Sequence, residues 1–252
     1  MVTHVSGLTR WRVLWRSLFI QAGYNTQGLQ SLGFLYALMP ALRQLYPEPE
    51  QQSAAVRRHL EAFNTHPYVS AAIVGGALAL EEKVAAKETA PERVTAFKTS
   101  LMGPLAALGD SFFWHSLRPA LGAFSAALVP LTSAWAAVFF LAAYNIVHFT
   151  FRARFFLLGY REGDRLVEAL ARAHLPRWSQ LLRALAAVCA GGLAAWLAVE
   201  FGQNQPGPLG APLAVGCLLA GLGAYELVKR RVSPYAVLYA VALLALGAGA
   251  TL

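Results

Sequence analysis

Residues 118–152 read RPALGAFSAALVPLTSAWAAVFFLAAYNIVHFTFR, with an arginine at each end and no Asp, Glu, Lys or Arg between them. A helix crossing the hydrocarbon core of a bilayer needs about 20 apolar residues, within a range of roughly 17–25. This run exceeds one span and is broken by Pro130, so it fits one tilted, kinked helix or a re-entrant hairpin. Three further stretches lack charge: between Arg183 and Glu200, between Glu200 and Glu226, and from Val232 to Leu252. Each supplies most or all of a span. The whole chain of 252 residues is 57% hydrophobic and 13% charged, with a mean hydropathy of +0.46. A soluble domain is nearer a quarter charged. These values argue against a soluble enzyme, a disordered chain and a nucleic-acid binder, and they imply a membrane protein.

The net charge of +8 does not point to nucleic acid, because the basic residues are distributed as a membrane orients them. Eleven of the 21 Lys and Arg precede residue 120, seven lie between Arg152 and Arg183, and three form Lys229-Arg230-Arg231. Basic segments between apolar spans mark a cytoplasmic face. The uncharged loop Gln203–Gly210 then lies outside, with spans near 184–201, 210–228 and 233–251. The C-terminus is expected to be extracytoplasmic and the N-terminus cytoplasmic, so either residues 119–148 enter and return or another crossing occurs upstream. A hairpin is preferred. Cys189 and Cys217 both fall inside apolar segments, which suits small packed residues rather than a disulfide or a metal site.

The N-terminus is no signal peptide, since Arg10, Arg12 and Arg16 interrupt its apolar residues. Leu8, Trp11, Trp15, Leu18 and Phe19 recur at helical spacing, as in a helix lying at the headgroups or against a protein partner. A second helical pattern runs from Gln21 to Tyr46 with a kink at Pro40. Tyr46-Pro47-Glu48-Pro49-Glu50 is a turn. A helix then covers about Gln51–Phe63. Val69–Leu80 is apolar but too short to span, and is expected to end at Glu81-Glu82 as a buried or re-entrant helix. A polar helix over Lys83–Lys98 leads to Gly103, Pro104 and Gly109, which shape a close turn. The fold expected is an all-α integral membrane protein, with a mixed amphipathic and re-entrant helical core followed by about three C-terminal transmembrane helices. Its parts are an interfacial arm (1–50), a core carrying the polar clusters (51–150), a basic cytoplasmic connector (151–183) and a scaffold of spans (184–252).

Several blocks in order resemble the IID component of mannose-family sugar phosphotransferase systems. They are Arg16-Ser-Leu-Phe-Ile-Gln21 with Tyr24-Asn25 and Leu29-Gln30-Ser-Leu-Gly33-Phe34, then His59-Leu-Glu61-Ala-Phe63-Asn64-Thr65-His-Pro67-Tyr68-Val69, running on to Leu80-Glu81-Glu82. The most specific is Lys98-Thr-Ser-Leu101-Met-Gly103-Pro104-Leu-Ala-Ala-Leu-Gly109-Asp110-Ser111-Phe-Phe-Trp114, with Leu117-Arg118-Pro119 after it. Asn145, Arg154-Phe-Phe156, Gly159-Tyr160-Arg-Glu-Gly163 and the tail with Pro212, Lys229 and Pro234 also fit. The resemblance implies a subunit of the bacterial cytoplasmic (inner) membrane that forms, with a IIC subunit, the path of a mannose-type hexose. Cytoplasmic IIA and IIB proteins would relay phosphoryl groups and phosphorylate the sugar on entry. It also implies a higher oligomer of IIC–IID pairs. The chain departs from the family at Gly28-Leu29, where an Arg-Met is usual, at Ala107-Leu108 and at His115-Ser116. The first departure supports an alternative, an assembly or regulatory membrane subunit without sugar transport.

A hexose presents hydroxyls that both donate and accept, so its site needs carboxylates and amides beside an aromatic face. Glu61, Asn64 and Thr65 meet that need at a helix end, where irregular backbone at membrane depth lines a cavity. Equally, Asn64 and Thr65 read as caps for a helix starting near Pro67. Asp110 and Ser111 read either as pathway residues or as the cap of the long apolar helix that follows. Asn25, Gln30, Glu81 and Glu82 stand behind the sugar contacts. The plain reading of Glu81-Glu82 is a solvated helix end; the other is a carboxylate paired with a cation, for which Lys83 and Lys98 are candidates. His59 and His66 lack a third ligand at useful spacing, so no metal is expected. His115 and His148 read as interfacial. With no phosphate loop, nucleophile elbow or His-Glu-x-x-His present, neither a cofactor nor an intrinsic catalytic site is expected.

Overall fold

The computed structural model describes residues 4–172, 174–203 and 210–249. Among these the regular structure is helical, and the only β-type pairings are isolated bridges from Leu29 to Asn25 and to Phe63. The chain divides into two compact units, Met1–Ala187 and Val188–Leu252.

The first unit opens with α1 (Gly7–Arg16). The Ser6 hydroxyl accepts the Thr9 amide at 3.1 Å as an N-cap, and Arg16 in the last turn suits the helix dipole. Thr9, Val13 and Ser17 form the buried stripe at four-residue spacing, while Leu8, Trp11, Trp15 and Phe19 stay exposed. The tryptophan face thus points away from the core. α2 (Ser31–Leu45) starts ten residues later than its apolar pattern suggests. Residues 21–30 form turns instead, with Leu29 at a φ of 57° between the two bridges. α3 (Pro49–Leu60) begins with proline at its first position, where the missing N–H costs nothing. It ends on Arg57, Arg58 and His59.

α4 (Ser70–Ala85) is buried on every side from Ser70 to Leu78 and runs straight through Glu81 and Glu82. The expected stop at those acids is corrected: both find partners inside the protein, so the helix has no reason to leave. Its end comes at Lys87, with a φ of 62°. The polar helix expected over Lys83–Lys98 is therefore split, and α5 (Glu92–Gly109) starts only after Pro91. α5 also contains no turn at Gly103–Gly109. It passes unbroken into a π-helix, Asp110–Leu117, and then α6 (Arg118–Thr132). The Asp110 amide bonds to the carbonyls of Ala106 and Ala107, so Asp110 does not cap a free helix start. The wider π turn is a local adjustment of a helix that stays continuous.

The uncharged run folds as two packed helices, α6 and α7 (Trp135–Glu162), reversing at Ser133 with a φ of 50°. The reversal falls just past Pro130, which stays inside α6. α7 continues beyond residue 150 to Gly163, itself at positive φ. α8 (Leu166–Ala171) and the start of α9 (Leu175–Gln203) complete the first unit. In the second unit α10 (Gly210–Lys229) packs on α11 (Pro234–Gly249). Residues 204–209, the body of the loop read as external, lie outside the described residues. Among the described residues two helices are long and apolar enough to cross a membrane, Trp135–Glu162 and Leu175–Glu200. Only 11% and 6% of their most apolar stretches are covered, which a soluble core helix would not tolerate.

α4 and α7 make the closest helix pair, and glycine makes it possible. A Cβ on Gly159 would sit 1.9 Å from the Ala72 carbonyl oxygen, and one on Gly75 2.1 Å from that of Phe156. Small residues allow such backbone approach where lipid leaves packing as the driving force. Because both obstacles are backbone, Gly159→Ala should force the helices apart and cost about 1–3 kcal/mol. The expected outcome is a fall of several degrees in the Tm of detergent-purified protein. Gly122→Ala, which meets nothing within 4 Å, should leave the Tm unchanged or slightly raised.

Candidate functional site

The segment from Glu61 to Val69 joins α3 to α4 without regular structure, and two strips of the protein hold it. On one side Gln30 and Thr65 exchange bonds: Gln30 Nε2 donates to the Thr65 carbonyl at 2.8 Å, and the Thr65 amide donates to Gln30 Oε1 at 3.0 Å. The Gln30 amide adds a bond to the Phe63 carbonyl at 2.8 Å. Asn25 shapes the turn that presents Gln30, its Oδ1 accepting the amides of Gln27 and Gly28 at 3.0 and 2.8 Å. On the other side the Thr65 hydroxyl donates to the Met102 carbonyl at 3.0 Å, and the Asn64 amide meets Met102 Sδ. The Asn64 side chain is left exposed.

These contacts correct the capping reading. α4 starts at Ser70 with Val69 before it and no side-chain cap, and the His66 carbonyl accepts the Val69 and Ser70 amides. Thr65 is a buried strut. Next in line, His66 lies flat against α5 at Gly109, where a Cβ would come within 2.4 Å of it. Its ring stacks on Phe113 and meets the edge of Trp114 at 5.3 and 5.4 Å between centroids. Burial, helped by the charge of Arg152, pushes the His66 pKa down to about 4. The ring is neutral, and since Nδ1 accepts the Tyr68 amide, Nε2 carries the hydrogen; that nitrogen is buried with no partner.

Asp110 and Ser111 follow Gly109 directly and are half-buried. Their carbonyls take His115 Nδ1 at 2.9 Å and the Ser116 hydroxyl at 2.7 Å, five residues on, as the π geometry demands. Among the described residues the Asp110 carboxylate has no hydrogen bond. Asn64, His66 and Asp110 thus follow one another along α5, without a bond between Asp110 and the loop. Glu61 is exposed and stands apart, in a cleft of about 440 Å³ with Arg57, Glu92 and Thr95.

Arg152 holds the far end of the loop and was not foreseen from the sequence. The residue is 3% exposed, and its guanidinium donates to the Ser17 carbonyl and hydroxyl, to the Pro67 carbonyl at 2.6 Å, and to His148 Nε2 at 3.3 Å. Among the described residues no carboxylate pairs with it. The available signal was its place as the first charge after a long uncharged run, which reads equally as an interfacial anchor. His148 lies against the Tyr68 ring at 3.8 Å between centroids, inside this cluster.

Glu81 and Glu82 are buried, so the solvated reading is overturned, and neither Lys83 nor Lys98 bonds to them. Arg58 grips Glu81 with Nε and Nη2, each at 2.7 Å, while His59 Nε2 and the Tyr46 hydroxyl add bonds of 2.8 and 2.6 Å. Lys98 instead donates to the Arg58 carbonyl at 2.7 Å. Burial lowers the Lys98 pKa to about 8 against the pull of Glu61 and Glu81. Glu82 accepts the Val5 amide at 2.8 Å, the Tyr160 hydroxyl at 2.8 Å and His4 Nδ1 at 3.1 Å. Nothing in local spacing announces these partners; His59 and Tyr160, which stand in blocks that carry the family resemblance, are the visible hints.

An all-helical chain with uncovered apolar helices of spanning length, and with carboxylates and an arginine satisfied only inside the helix cluster, defines a helical membrane protein. Residues 4–204 match the family described as PTS system mannose/fructose/sorbose family IID component. The chain belongs to that family of IID components, and it spans less than two thirds of the length of the curated relatives it matches. It is 37% identical over 170 residues to the PTS system mannose-specific EIID component of Escherichia coli K12, spanning 67% of this chain and 60% of that one. It is 37% identical over 154 residues to the sorbose-specific EIID component of Lacticaseibacillus casei, spanning 61% of this chain and 55% of that one. Among solved structures, a chain of the mannose transporter ManYZ in complex with microcin E492 superposes with a TM-score of 0.62 at 27% identity, covering 98% of this chain and 97% of that one. A second, described only as a membrane protein, gives 0.74 at 28% identity with the same coverage.

The Glu81 network fixes a pH dependence. Burial alone pushes the carboxyl up, but the hydrogen bonds from Arg58 and His59 outweigh it and hold the pKa at about 2, below the ordinary 4.5. A depressed acid stabilises the fold above its unfolded pKa, and that contribution drains away as pH falls from about 4.5 toward 2. Glu81→Gln should therefore destabilise the protein at pH 7 and flatten the acid limb of a Tm-against-pH curve measured in detergent. Arg58→Leu leaves the acid buried without its cation and should cost about 3–5 kcal/mol.

Proposed function

We propose that this subunit forms, with a IIC partner, the translocation path of a mannose-type hexose, which a cytoplasmic IIB protein phosphorylates as it emerges after relay through IIA. The observation that carries this reading is the Asn64–Pro67 loop. It is strapped to Gln30, Met102 and Arg152 from beneath, yet it presents the Asn64 amide outward. A preorganised loop with a free amide is what recognition of a sugar hydroxyl needs, since little ordering is left to be done on binding. Asp110 supplies a carboxylate acceptor one residue beyond the contact of His66 with α5, and Trp114, half exposed and in edge contact with His66, offers an aromatic face to ring CH groups. Ser111 and Glu61 complete the polar set, with Thr65, Asn25, Gln30, Glu81 and Glu82 as supports.

The curated relatives' names carry mannose, fructose and sorbose, which favours a hexose substrate without choosing among them. The partner of the superposed chain in the ManYZ structure favours a IIC subunit here, with such pairs joined into a higher oligomer. Positive charge over residues 151–183 and at Lys229–Arg231 favours a cytoplasmic location for both, an extracytoplasmic C-terminus and three C-terminal spans. Residues 50–150 are the heart of the moving body, which carries with it the segments tied to the loop by Gln30 and Arg152, and 184–252 are the scaffold.

The test is uptake of labelled mannose by cells lacking other routes, with the IIC, IIA and IIB genes supplied. Loss of one site hydrogen bond at about 1–3 kcal/mol corresponds to a five- to hundredfold change. Asn64→Ala and Asp110→Ala should raise the apparent KM by that order at equal expression. Arg152→Lys, which keeps the charge but loses the fork that spans Ser17 and Pro67, should lower uptake without moving the sugar preference. Wild-type uptake in both alanine variants would remove them from the site; no uptake by the complete wild-type system would overturn the transport reading.

A further inference from the structure

The structure assigns an anionic phospholipid to a groove between α7, α8 and the start of α9, with its phosphate held by Arg154 and Arg172. The cavity measures about 470 Å³. Phe151, Phe155 and Leu158, successive positions on one face of α7, form its floor, and Trp178 of α9 forms the opposite wall. That trough is apolar and long enough to seat the upper part of an acyl chain. Both guanidiniums are exposed, and no carboxylate belongs to the lining. The Arg172 Nε donates to the Glu168 carbonyl one turn back at 3.5 Å, and among the described residues neither guanidinium pairs with a carboxylate. Two such cations above an apolar trough are complementary to one occupant, a molecule with a phosphate head and a hydrocarbon tail.

The position along the chain places the groove at a membrane surface. The uncharged run of α7 ends at Phe151, so Arg154 lies in the first turn past the hydrocarbon. α9 opens at Leu175 with Arg177 and Arg183 before its own uncharged stretch, so its first turns lie at the same level. Trp178 is 56% exposed there, at the depth where amphipathic rings collect. Seven arginines against three acids between residues 152 and 183 give this level a positive field. Basic pockets between membrane helices on the cytoplasmic side bind acidic headgroups. A helix from a protein partner would fill the trough equally well, but it would leave the two guanidiniums to be matched by its own acids.

The test uses the full chain purified in neutral detergent with the membrane partners that accompany it, titrated with dioctanoyl phosphatidylglycerol, dioctanoyl phosphatidylcholine or inorganic phosphate. Binding is read by the shift in Tm and by native mass spectrometry. With each cation near a surface contributing about fivefold, phosphatidylglycerol should bind about thirtyfold tighter than phosphatidylcholine at low salt. Raising the salt should shrink the difference. Arg154→Gln with Arg172→Gln, both exposed and outside the sugar-site proposal, should erase the preference without lowering the Tm of lipid-free protein. Trp178→Ala should weaken both lipids alike. Equal binding of the two lipids to the wild type, a preference that survives the double substitution, or inorganic phosphate binding as tightly as the lipid would each overturn the assignment. So would a groove that takes no lipid because a protein partner covers it.

Discussion

Two adjacent carboxylates at the end of a buried helix govern how the first unit is held together. Glu81 and Glu82 occupy consecutive positions on α4, so their side chains leave the helix about 100° apart. Glu81 turns toward α2 and α3 and collects Tyr46, Arg58 and His59; Glu82 turns toward the N-terminal segment and α7 and collects Val5, His4 and Tyr160. Each acid is buried and so must be satisfied where it stands, because a buried carboxylate without partners would take up a proton or expel the helix. The two acids therefore fix four segments around α4 at one level. Gly75 and Gly159 fix the separation of α4 from α7 below it, since neither helix can move closer or accept a side chain between them. Angle and distance are set by different chemistries, and both must be right for the loop between α3 and α4 to be presented.

The sequence announces the parts of this arrangement that depend on local rules. Charge-free runs appear as α6, α7 and α9, a helix follows the Tyr46–Glu50 prolines, although it starts at Pro49 inside the segment read as a turn, and the tryptophan stripe of α1 stays uncovered. Local rules fail where a distant residue decides. Glu81-Glu82 reads as a helix end because adjacent acids usually meet water; Arg58, which removes that need, lies 23 residues earlier on a different helix. Gly103, Pro104 and Gly109 read as a turn, yet Gly109 is small because His66 lies on it, and a helix can carry it at modest cost. Asn64-Thr65 before a proline has the composition of a cap, but the Thr65 hydroxyl is taken by the Met102 carbonyl and the Asn64 side chain is exposed, so neither caps α4. Of the nine polar residues singled out, Asn25 and Gln30 stand behind the loop, Thr65 is itself a strut, and Glu81 and Glu82 act on the framework further back. Asn64, Asp110 and Ser111 remain at a surface, and Glu61 faces a cleft of its own.

Arg152 adds a constraint that bears on how such a subunit can move. The residue is 3% exposed, and its guanidinium is held by carbonyl and hydroxyl oxygens and by His148 of its own helix rather than by an acid among the described residues. It is stable only while its acceptors on other segments stay in reach. Those acceptors come from two separate segments, Ser17 at the end of α1 and Pro67 in the loop. Separating either from α7 would leave a buried charge short of partners, a loss of several kcal/mol. The end of α1, the loop and α7 therefore travel as one body. The loop is equally fixed to α2 through Gln30 and to α5 through Met102, so the polar surface at Asn64 cannot open by swinging the loop alone. Access to it must change by displacing whatever packs against the exposed apolar face, which places the hinge of any transport cycle outside the cluster built on α4.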